Sequence, residues 1–391
     1  MSAAEPTTTI LDGSGVGPGG ITRVLTEVVR HWPAGHRLRV VAAPPSWPVP
    51  ADRAADVELV SHQASGRAGA IGAATATLRR VTAGAPRDRT RVLSLSPSAA
   101  ILGSRLPVTT VVHDLAFRLW PHDLSTAVRQ YRRVSYGAAV RRSARLLCVS
   151  ARTRHDLLGL YGVADERTAI WHPGSDLAAA GDLPTPLADL SRRGGSWLVV
   201  AGHAPHKGVE LAVDALAELP GHTLAVLTGG HRIDRFSAAV RRAGVADRVL
   251  FLGHLPEPEY AATVAGAAAF LMPSHFEGYG LPAAEALRLG TPAVVSPDPA
   301  LHEATAGRAV RMTAWSAEAL VAAVTAAVGG PRPAAGGHGR SWRTATEHLV
   351  GLLAAEPSTR PAARVAGSTC ESPWCTPRSR SGAGRNGTSA T

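Results

Sequence analysis

The stretch that decides the fold reads His275-Phe276-Glu277-Gly278-Tyr279-Gly280-Leu281-Pro282-Ala283-Ala284-Glu285-Ala286-Leu287-Arg288-Leu289-Gly290-Thr291-Pro292. An apolar run, residues 267–272, precedes it and predicts a buried strand. Pro282 stands where a helix can begin without a backbone donor, and Gly290 ends that helix after about two turns. We therefore expect a strand, a glycine-containing loop and a helix N-terminus, which presents free amides to an anion such as diphosphate.

Two carboxylates frame this loop, Glu277 before it and Glu285 in the first turn of the helix. An ionised carboxylate only accepts hydrogen bonds, so these side chains suit the hydroxyl groups of a sugar or a ribose better than a phosphate. The structural alternative is that Glu285 complements the helix dipole and that Glu277 is simply solvated.

Both acids, both glycines, the Leu-Pro pair and the closing Gly-Thr-Pro make this stretch resemble the E-x7-E signature of retaining GT-B glycosyltransferases of family 4 (group 1). The resemblance implies an α/β fold of two Rossmann-like, doubly wound parallel-sheet domains that face an inter-domain cleft. It implies that Glu277 contacts the transferred sugar and is catalytic, and that Glu285 holds the ribose. The implied diphosphate site consists of the loop residues Gly278, Tyr279, Gly280 and Leu281.

Short apolar runs alternate with helical stretches along the rest of the chain, a pattern that predicts parallel sheets. For 391 residues we expect two domains and a tail. The predicted parts are an N-terminal domain (1–176), a linker (177–195), a second domain (196–330), a linker with a C-terminal helix (331–357) and a disordered basic tail (358–391). The resemblance implies that the first domain lies on the acceptor side, that the second binds the nucleotide sugar, and that the C-terminal helix crosses back to the first domain.

Targeting signals and charge bear on where the protein acts. We expect a cytoplasmic protein, because the N-terminus lacks a signal-peptide pattern and no apolar run approaches the roughly 18 residues of a membrane span. The net charge of +11 is dispersed and lacks an aromatic-stacking motif, which argues against nucleic-acid binding. Residues 125–145 are rich in arginine; they form either a solvated face or a peripheral contact with an anionic membrane.

The first strand leads into a glycine-rich loop in which Gly15, Gly17 and Gly20 match G-x-G-x-x-G. A dinucleotide site would require an acidic residue about 20 positions further on, and residues 29–50 contain none. In the GT-B enzymes that the chain resembles, this loop faces the cleft, and Gly19 and Gly20 match it best. The alternative is a flexible turn with no ligand.

His113 follows an apolar strand, residues 108–112, and so lies where open α/β sheets bind ligands. A lone histidine at such a position is otherwise more often structural. Many family 4 members carry His-Asp-Leu here, and the resemblance implies that His113 lies beside the donor sugar as a catalytic residue.

Lys207 is the only lysine among 41 basic residues, which suggests a specific requirement for an ammonium. It precedes a helix and is placed to meet the donor diphosphate; the alternative is a solvated surface residue. The family usually has arginines where this chain has His203 and His206. We assign His203 to the diphosphate site and expect weaker or pH-dependent phosphate binding.

The resemblance implies a retaining hexosyltransferase that uses a nucleotide-diphosphate sugar as substrate, with no cofactor and no metal. In the family that the chain resembles, His-Asp-Leu often accompanies mannosyl transfer, which favours mannose, and the expected acceptor is a glycan, a lipid or a small molecule. The alternatives are an NDP-sugar epimerase or glucan phosphorylase of the same fold, or a sugar-nucleotide-binding or membrane-docking protein with weakened activity. A phosphorylase needs a lysine for its cofactor, and the only lysine is assigned to phosphate.

Overall fold

The structure is a computed structural model that describes residues 7–17, 19–60, 66–229 and 233–355. Its two parallel sheets belong to one compact unit of the chain. The predicted tail, residues 358–391, lies outside the described residues. None of the described helices combines the length and the apolar character that a membrane span requires.

The first sheet has seven parallel strands in the order β3-β2-β1-β4-β5-β6-β7. Its strands are β1 (Thr8–Asp12), β2 (Arg37–Val41), β3 (Val57–Val60), β4 (Thr90–Ser94), β5 (Val108–Val112), β6 (Ser143–Cys148) and β7 (Thr168–Ile170). The helices between them are α1 (Gly20–Arg30), α2 (Gly66–Thr82), α3 (Ala116–Leu119), α4 (Thr126–Arg142) and α5 (Ala151–Tyr161).

The second sheet has six parallel strands in the order β10-β9-β8-β11-β12-β13. These are β8 (Ser196–Ala201), β9 (His222–Leu227), β10 (Val249–Leu252), β11 (Ala269–Met272), β12 (Ala293–Val295) and β13 (Val310–Arg311). Helices α6 (Thr185–Arg192), α7 (Val209–Leu216), α8 (Ser237–Ala243), α9 (Glu257–Ala265), α10 (Leu281–Arg288), α11 (Pro299–Ala304) and α12 (Ala317–Gly329) accompany them.

The central strands of the second sheet are buried on both faces, which explains their largely apolar sequences. Along β8, Leu198 and Val200 enter one core cluster, while Trp197 and Val199 enter the cluster on the opposite face. This alternation follows from the two-residue period of a strand. The predicted pair of parallel-sheet α/β domains is confirmed.

The segment predicted as a loose linker, residues 177–195, contains helix α6. Leu187 of that helix is buried in the second-domain core, with Leu183 and Leu190 packed beside it. The segment is ordered because these leucines lie on one helical face and bury apolar area.

The last described helix, α13 (Trp342–Ala354), packs against the core of the first sheet. Trp342 is fully buried there, and the Trp171 indole donates a hydrogen bond of 2.8 Å to the carbonyl of Ala345. The C-terminal helix thus returns from the second sheet to the first.

Candidate active site between the two sheets

A cavity of about 390 Å³ lies between the carboxyl ends of the two sheets. The first domain contributes Gly20 and His113 to its wall, and the second contributes Lys207, Glu277 and the loop residues 278–281. Predicted site residues that are separated by up to 261 positions in the chain therefore lie in one cavity wall.

The loop after β11 turns sharply into α10, and two glycines make this turn possible. Gly280 has a φ of 113°, a conformation that side chains rarely adopt. Pro282 lies in the first turn of α10, where a helix has unbonded amides. The N–H groups of Ala283 and Ala284 already donate to the carbonyl of Gly280, so an anion site at this helix end rests on the backbone amides of residues 278–281, which line the cavity.

At Gly278 the second domain lies directly against the backbone of the first domain. A Cβ atom placed on Gly278 would lie 1.8 Å from the carbonyl oxygen of His113, so only glycine fits. The carbonyl of Gly278 accepts hydrogen bonds of 2.6 Å from Ser150 Oγ and 3.0 Å from Thr153 Oγ1. The first domain thus holds the predicted diphosphate loop through its backbone.

Lys207 and Glu277, predicted to meet phosphate and sugar, form an ion pair of 2.7 Å in the cavity wall. The backbone N–H of Glu277 donates to Asp298 Oδ2 at 3.2 Å, and Arg152 of the first domain lies 3.4 Å from the same carboxylate oxygen. Burial raises the pKa of Asp298, while Arg152 opposes that shift. Asp298 therefore fixes the position of Glu277 and links it to the first domain.

His113 lies directly after β5 and faces the cavity. Its Nε2 is 2.8 Å from the carbonyl oxygen of Leu95, and because a carbonyl only accepts, Nε2 carries the hydrogen. Burial lowers the pKa of His113, which favours the neutral ring. The Nδ1 lone pair is then left to accept a hydrogen bond, for example from a sugar hydroxyl group.

Glu285 is nearly fully buried beneath the cavity, in the interior face of α10. One carboxylate oxygen lies 3.0 Å from Nη1 of Arg23, and the other accepts a hydrogen bond of 2.8 Å from the Tyr260 hydroxyl. Burial raises the pKa of Glu285, whereas Arg23 and Tyr260 stabilise its charged form. Glu285 does not line the cavity in this arrangement.

Three other predicted positions are placed as follows. Gly19 precedes α1 with a φ of 97°, which directs the helix N-terminus, beginning at Gly20, toward the cavity. His203 is exposed and is not part of the cavity wall, and its role in diphosphate binding stays a prediction. The Tyr279 ring stacks on His172 at 5.6 Å.

His206, which stands where the family usually has arginine, turns to the first domain. Its ring Nδ1 contacts Asp123 Oδ2, and its backbone N–H donates to the same oxygen at 3.0 Å. The His206 side chain therefore helps to hold the second domain against the first.

Sequence reasoning missed four side chains that organise this site: Arg23, Tyr260, Asp298 and Asp123. Arg23 lies one helical turn after the glycine loop, but nothing in the sequence distinguishes it from the many other arginines of the chain. Asp298 stands before Pro299, an arrangement typical of a helix start, and its side chain caps α11 through the N–H of Ala300. That signal was available, although it does not reveal the contact with Glu277.

In the part of the chain that the structure describes, no group of three or more His, Cys, Asp or Glu side chains could hold a metal ion.

Two family models match the chain, one on each sheet. The model described as Glycosyltransferase Family 4 matches residues 18–179, and the model described as Glycosyl transferases group 1 matches residues 196–331.

Curated relatives agree with these models over part of their length. The chain is 32% identical over 182 residues to the 2-deoxystreptamine glucosyltransferase of Streptomyces kanamyceticus, covering 44% of this chain and 45% of that protein. It is 32% identical over 224 residues to the D-inositol 3-phosphate glycosyltransferase of Frankia alni, covering 48% and 55%. The chain thus spans about half the length of these curated relatives.

Solved structures extend the similarity to nearly the whole described chain. WaaG, a glycosyltransferase involved in lipopolysaccharide biosynthesis, aligns with a TM-score of 0.61 at 18% identity, covering 90% of this chain and 97% of that one. HepE of Anabaena, in complex with UDP and glucose, aligns with a TM-score of 0.62 at 18% identity, covering 89% and 99%. These alignments confirm the predicted GT-B fold. With one family model on each of its two domains, the chain belongs to the group 1 glycosyltransferases of the GT-B fold.

Proposed function

We propose that this protein is a glycosyltransferase that moves a hexose from a nucleotide-diphosphate sugar to an acceptor. The observation that carries the proposal is the single cavity in which Lys207, Glu277, His113 and the N-terminus of α10 meet. A cation and free amides suit a diphosphate, and the neighbouring carboxylate and imidazole suit sugar hydroxyl groups.

In the proposed reaction, the diphosphate lies against Lys207 and the amides of loop 278–281. The bond between the sugar C1 and the phosphate oxygen breaks, and negative charge develops on the leaving diphosphate. The Lys207 ammonium and the helix end stabilise that charge, a contribution worth several kcal/mol in such sites. The ammonium has three donors, so Lys207 can keep its contact with Glu277 while it meets phosphate.

We propose a retaining mechanism in which the acceptor hydroxyl attacks C1 from the face that the diphosphate leaves. The new bond forms between the acceptor oxygen and C1, and a phosphate oxygen of the leaving group takes the acceptor proton. Glu277 and the Nδ1 atom of His113 would orient the sugar by accepting hydrogen bonds from its hydroxyl groups. Glu285 would accept hydrogen bonds from the ribose.

The identity of the hexose and of the acceptor is part of the proposal. His113-Asp114-Leu115 favours mannose, whereas one relative is named a glucosyltransferase and one structural neighbour binds UDP and glucose. We propose a glycan, lipid or small-molecule acceptor and a reaction that needs neither a metal nor a cofactor. An epimerase is not favoured, because the relatives carry transferase names.

We also propose that the protein acts in the cytoplasm and contacts an anionic membrane peripherally. Support comes from α4, where Tyr131 and Val134 are exposed beside Arg133. Apolar side chains next to cations suit an anionic lipid surface. Sedimentation with liposomes that contain phosphatidylserine or phosphatidylinositol tests this contact; binding that is equal with neutral liposomes would contradict it.

A two-step experiment tests the proposed transfer. A thermal-shift panel of UDP-, GDP- and ADP-sugars first identifies the donor, and nucleotide release with that donor is then measured with candidate acceptors. The anomeric configuration of the product, read by NMR, tests retention. Donor binding without any nucleotide release would support the alternative of a sugar-nucleotide-binding protein, and the absence of binding by every donor would refute the proposal.

A further inference from the structure

Arg23 connects the first domain to the carboxylate that is assigned to the ribose. It lies in the first turn of α1, three residues after the cleft glycine Gly20. Its Nη1 atom lies 3.0 Å from Glu285 Oε1 on the second domain. Its Nη2 atom donates at 3.3 Å to the carbonyl of Asp176 and lies 3.8 Å from Glu257 Oε1.

The contact between Arg23 and Glu285 uses the carboxylate oxygens to which the ribose hydroxyl groups would donate. Tyr260 and Arg23 together engage both oxygens of Glu285, whose side chain is only 3% exposed. The neighbours of Arg23 on α1, Ile21 and Val24, line the cavity, but neither Arg23 nor Glu285 does. A ribose that reaches Glu285 therefore has to take the place of the guanidinium.

We propose that Arg23 is an internal competitor of the donor ribose for Glu285, and that it thereby sets the donor affinity. This inference rests on the proposed function, since it requires a nucleotide donor. Because the two partners belong to different domains, exchanging Arg23 for the ribose is coupled to separation of α1 from α10. Donor entry and domain opening then become one event.

The surroundings of the guanidinium are consistent with a contact that can be exchanged. Its Nε atom is buried and has no hydrogen-bond partner among the described residues, so the arginine is not fully satisfied where it lies. Glu285 keeps Tyr260 as a donor when Arg23 leaves, and two ribose hydroxyl groups could replace the lost hydrogen bonds.

If Arg23 is a competitor of the ribose, its removal changes the nucleotide affinity in one direction, and if it is a positioning residue, in the opposite direction. If Arg23 competes, its removal raises the fraction of molecules that can bind, and the apparent dissociation constant falls in proportion. If Arg23 instead holds Glu285 in the orientation that the ribose needs, its removal weakens binding. The direction of the change in affinity therefore decides between the two roles.

The test is calorimetric titration of the full chain with UDP, GDP and ADP, comparing wild type with Arg23→Gln. We expect nucleotide binding to be about threefold to tenfold tighter in the variant. The matched control is Arg39→Gln, which removes an arginine paired with Glu58 within the first domain, and its affinity should equal that of wild type. Unchanged or weaker binding by Arg23→Gln would overturn the inference.

Two further variants keep the test decisive. In a Glu285→Gln background, Arg23→Gln should change the affinity by less than about twofold, because the competed carboxylate is gone; a gain of the original size would contradict the mechanism. If Arg23→Gln does not fold, Arg23→Lys should still bind more tightly than wild type, because an ammonium lacks the planar fork of a guanidinium. If wild type binds none of the three nucleotides, the proposed function fails, and this inference fails with it.

Discussion

Replacing Gly278 by alanine should prevent the two domains from approaching as they do in this structure. The added Cβ atom would lie 1.8 Å from the carbonyl oxygen of His113, whereas real Cβ contacts essentially never fall below 3.0 Å. Because the opposing atom is backbone, it cannot rotate away. The two chain segments must therefore separate by at least the difference of these distances, 1.2 Å.

That separation weakens the contacts that close the site. The hydrogen bonds from Ser150 and Thr153 to the carbonyl of Gly278, now 2.6 and 3.0 Å, would lengthen beyond hydrogen-bonding range. At about 1 kcal/mol each, their loss disfavours the closed arrangement by roughly 2 kcal/mol, or about 30-fold. A misplacement of about 1 Å in a reacting site can reduce the rate by about 100-fold. We expect kcat to fall by about 100-fold.

Nucleotide release with the best donor measures this effect, and calorimetry with the matching nucleoside diphosphate provides the contrast. The diphosphate should bind Gly278→Ala no more than about threefold more weakly than wild type, since Lys207 and α10 both belong to the second domain. The control is Gly221→Ala, where a Cβ atom meets nothing within 4 Å. If Gly278→Ala folds and keeps kcat within about threefold of wild type, the steric reasoning is wrong.

Three further predictions concern single side chains. Lys207→Ala should reduce kcat/KM for nucleotide release at least about tenfold, because the ammonium that contacts the diphosphate is removed. An unchanged kcat/KM would exclude Lys207 from the site. Asp298→Asn should lower the free energy of unfolding by about 1–3 kcal/mol in denaturant titrations, because an amide has only one acceptor oxygen. It cannot accept from Ala300 on one oxygen and from Glu277 and Arg152 on the other, as the carboxylate does, and equal stability would contradict this. Burial lowers the pKa of His113 below its usual 6.5, so the unfolded chain binds more protons than the folded chain as the pH falls through that value. The free energy of unfolding of wild type should therefore fall relative to that of His113→Gln below about pH 6.5. Parallel profiles of unfolding free energy against pH would contradict the shift.

The fold could be predicted because its signals are local. The apolar runs of β8 and β11 are buried on both faces, so they appear in the sequence as continuous apolar stretches. The turn into α10 has chemical requirements that only a few residue types meet, and Gly280 and Pro282 meet them. Lys207 lies after β8, and loop 278–281 lies after β11, the neighbouring strand of the same sheet. Because parallel strands end at the same edge of a sheet, the two are brought together.

The predicted linker shows how a local signal can be obscured. Leu183, Leu187 and Leu190 have helical spacing, and they do form the buried face of α6. Pro184 and Pro186 interrupt that pattern, and the sequence predicts only a linker for this segment. Proline is nevertheless tolerated in the first turn of a helix, where these residues lie, because the N–H that it lacks has no partner there.

Contacts between the domains could not be predicted, because they depend on the relative orientation of two separately folded sheets. Arg23 meets Glu285, and Arg152 meets Asp298, across 262 and 146 positions of the chain. The chain has 41 basic residues, almost all arginine, and no sequence feature marks the two that cross the boundary. The same reason explains why the contact of His206 with Asp123 was missed.

The most direct test of the central claim is a crystal structure of the full chain with the donor sugar nucleotide that the thermal-shift panel identifies. We predict that the diphosphate oxygens lie within hydrogen-bonding distance of Lys207 Nζ and of the amides of loop 278–281, with the ribose on Glu285. A nucleotide bound elsewhere, or a diphosphate beyond the reach of the Lys207 side chain, would contradict the account.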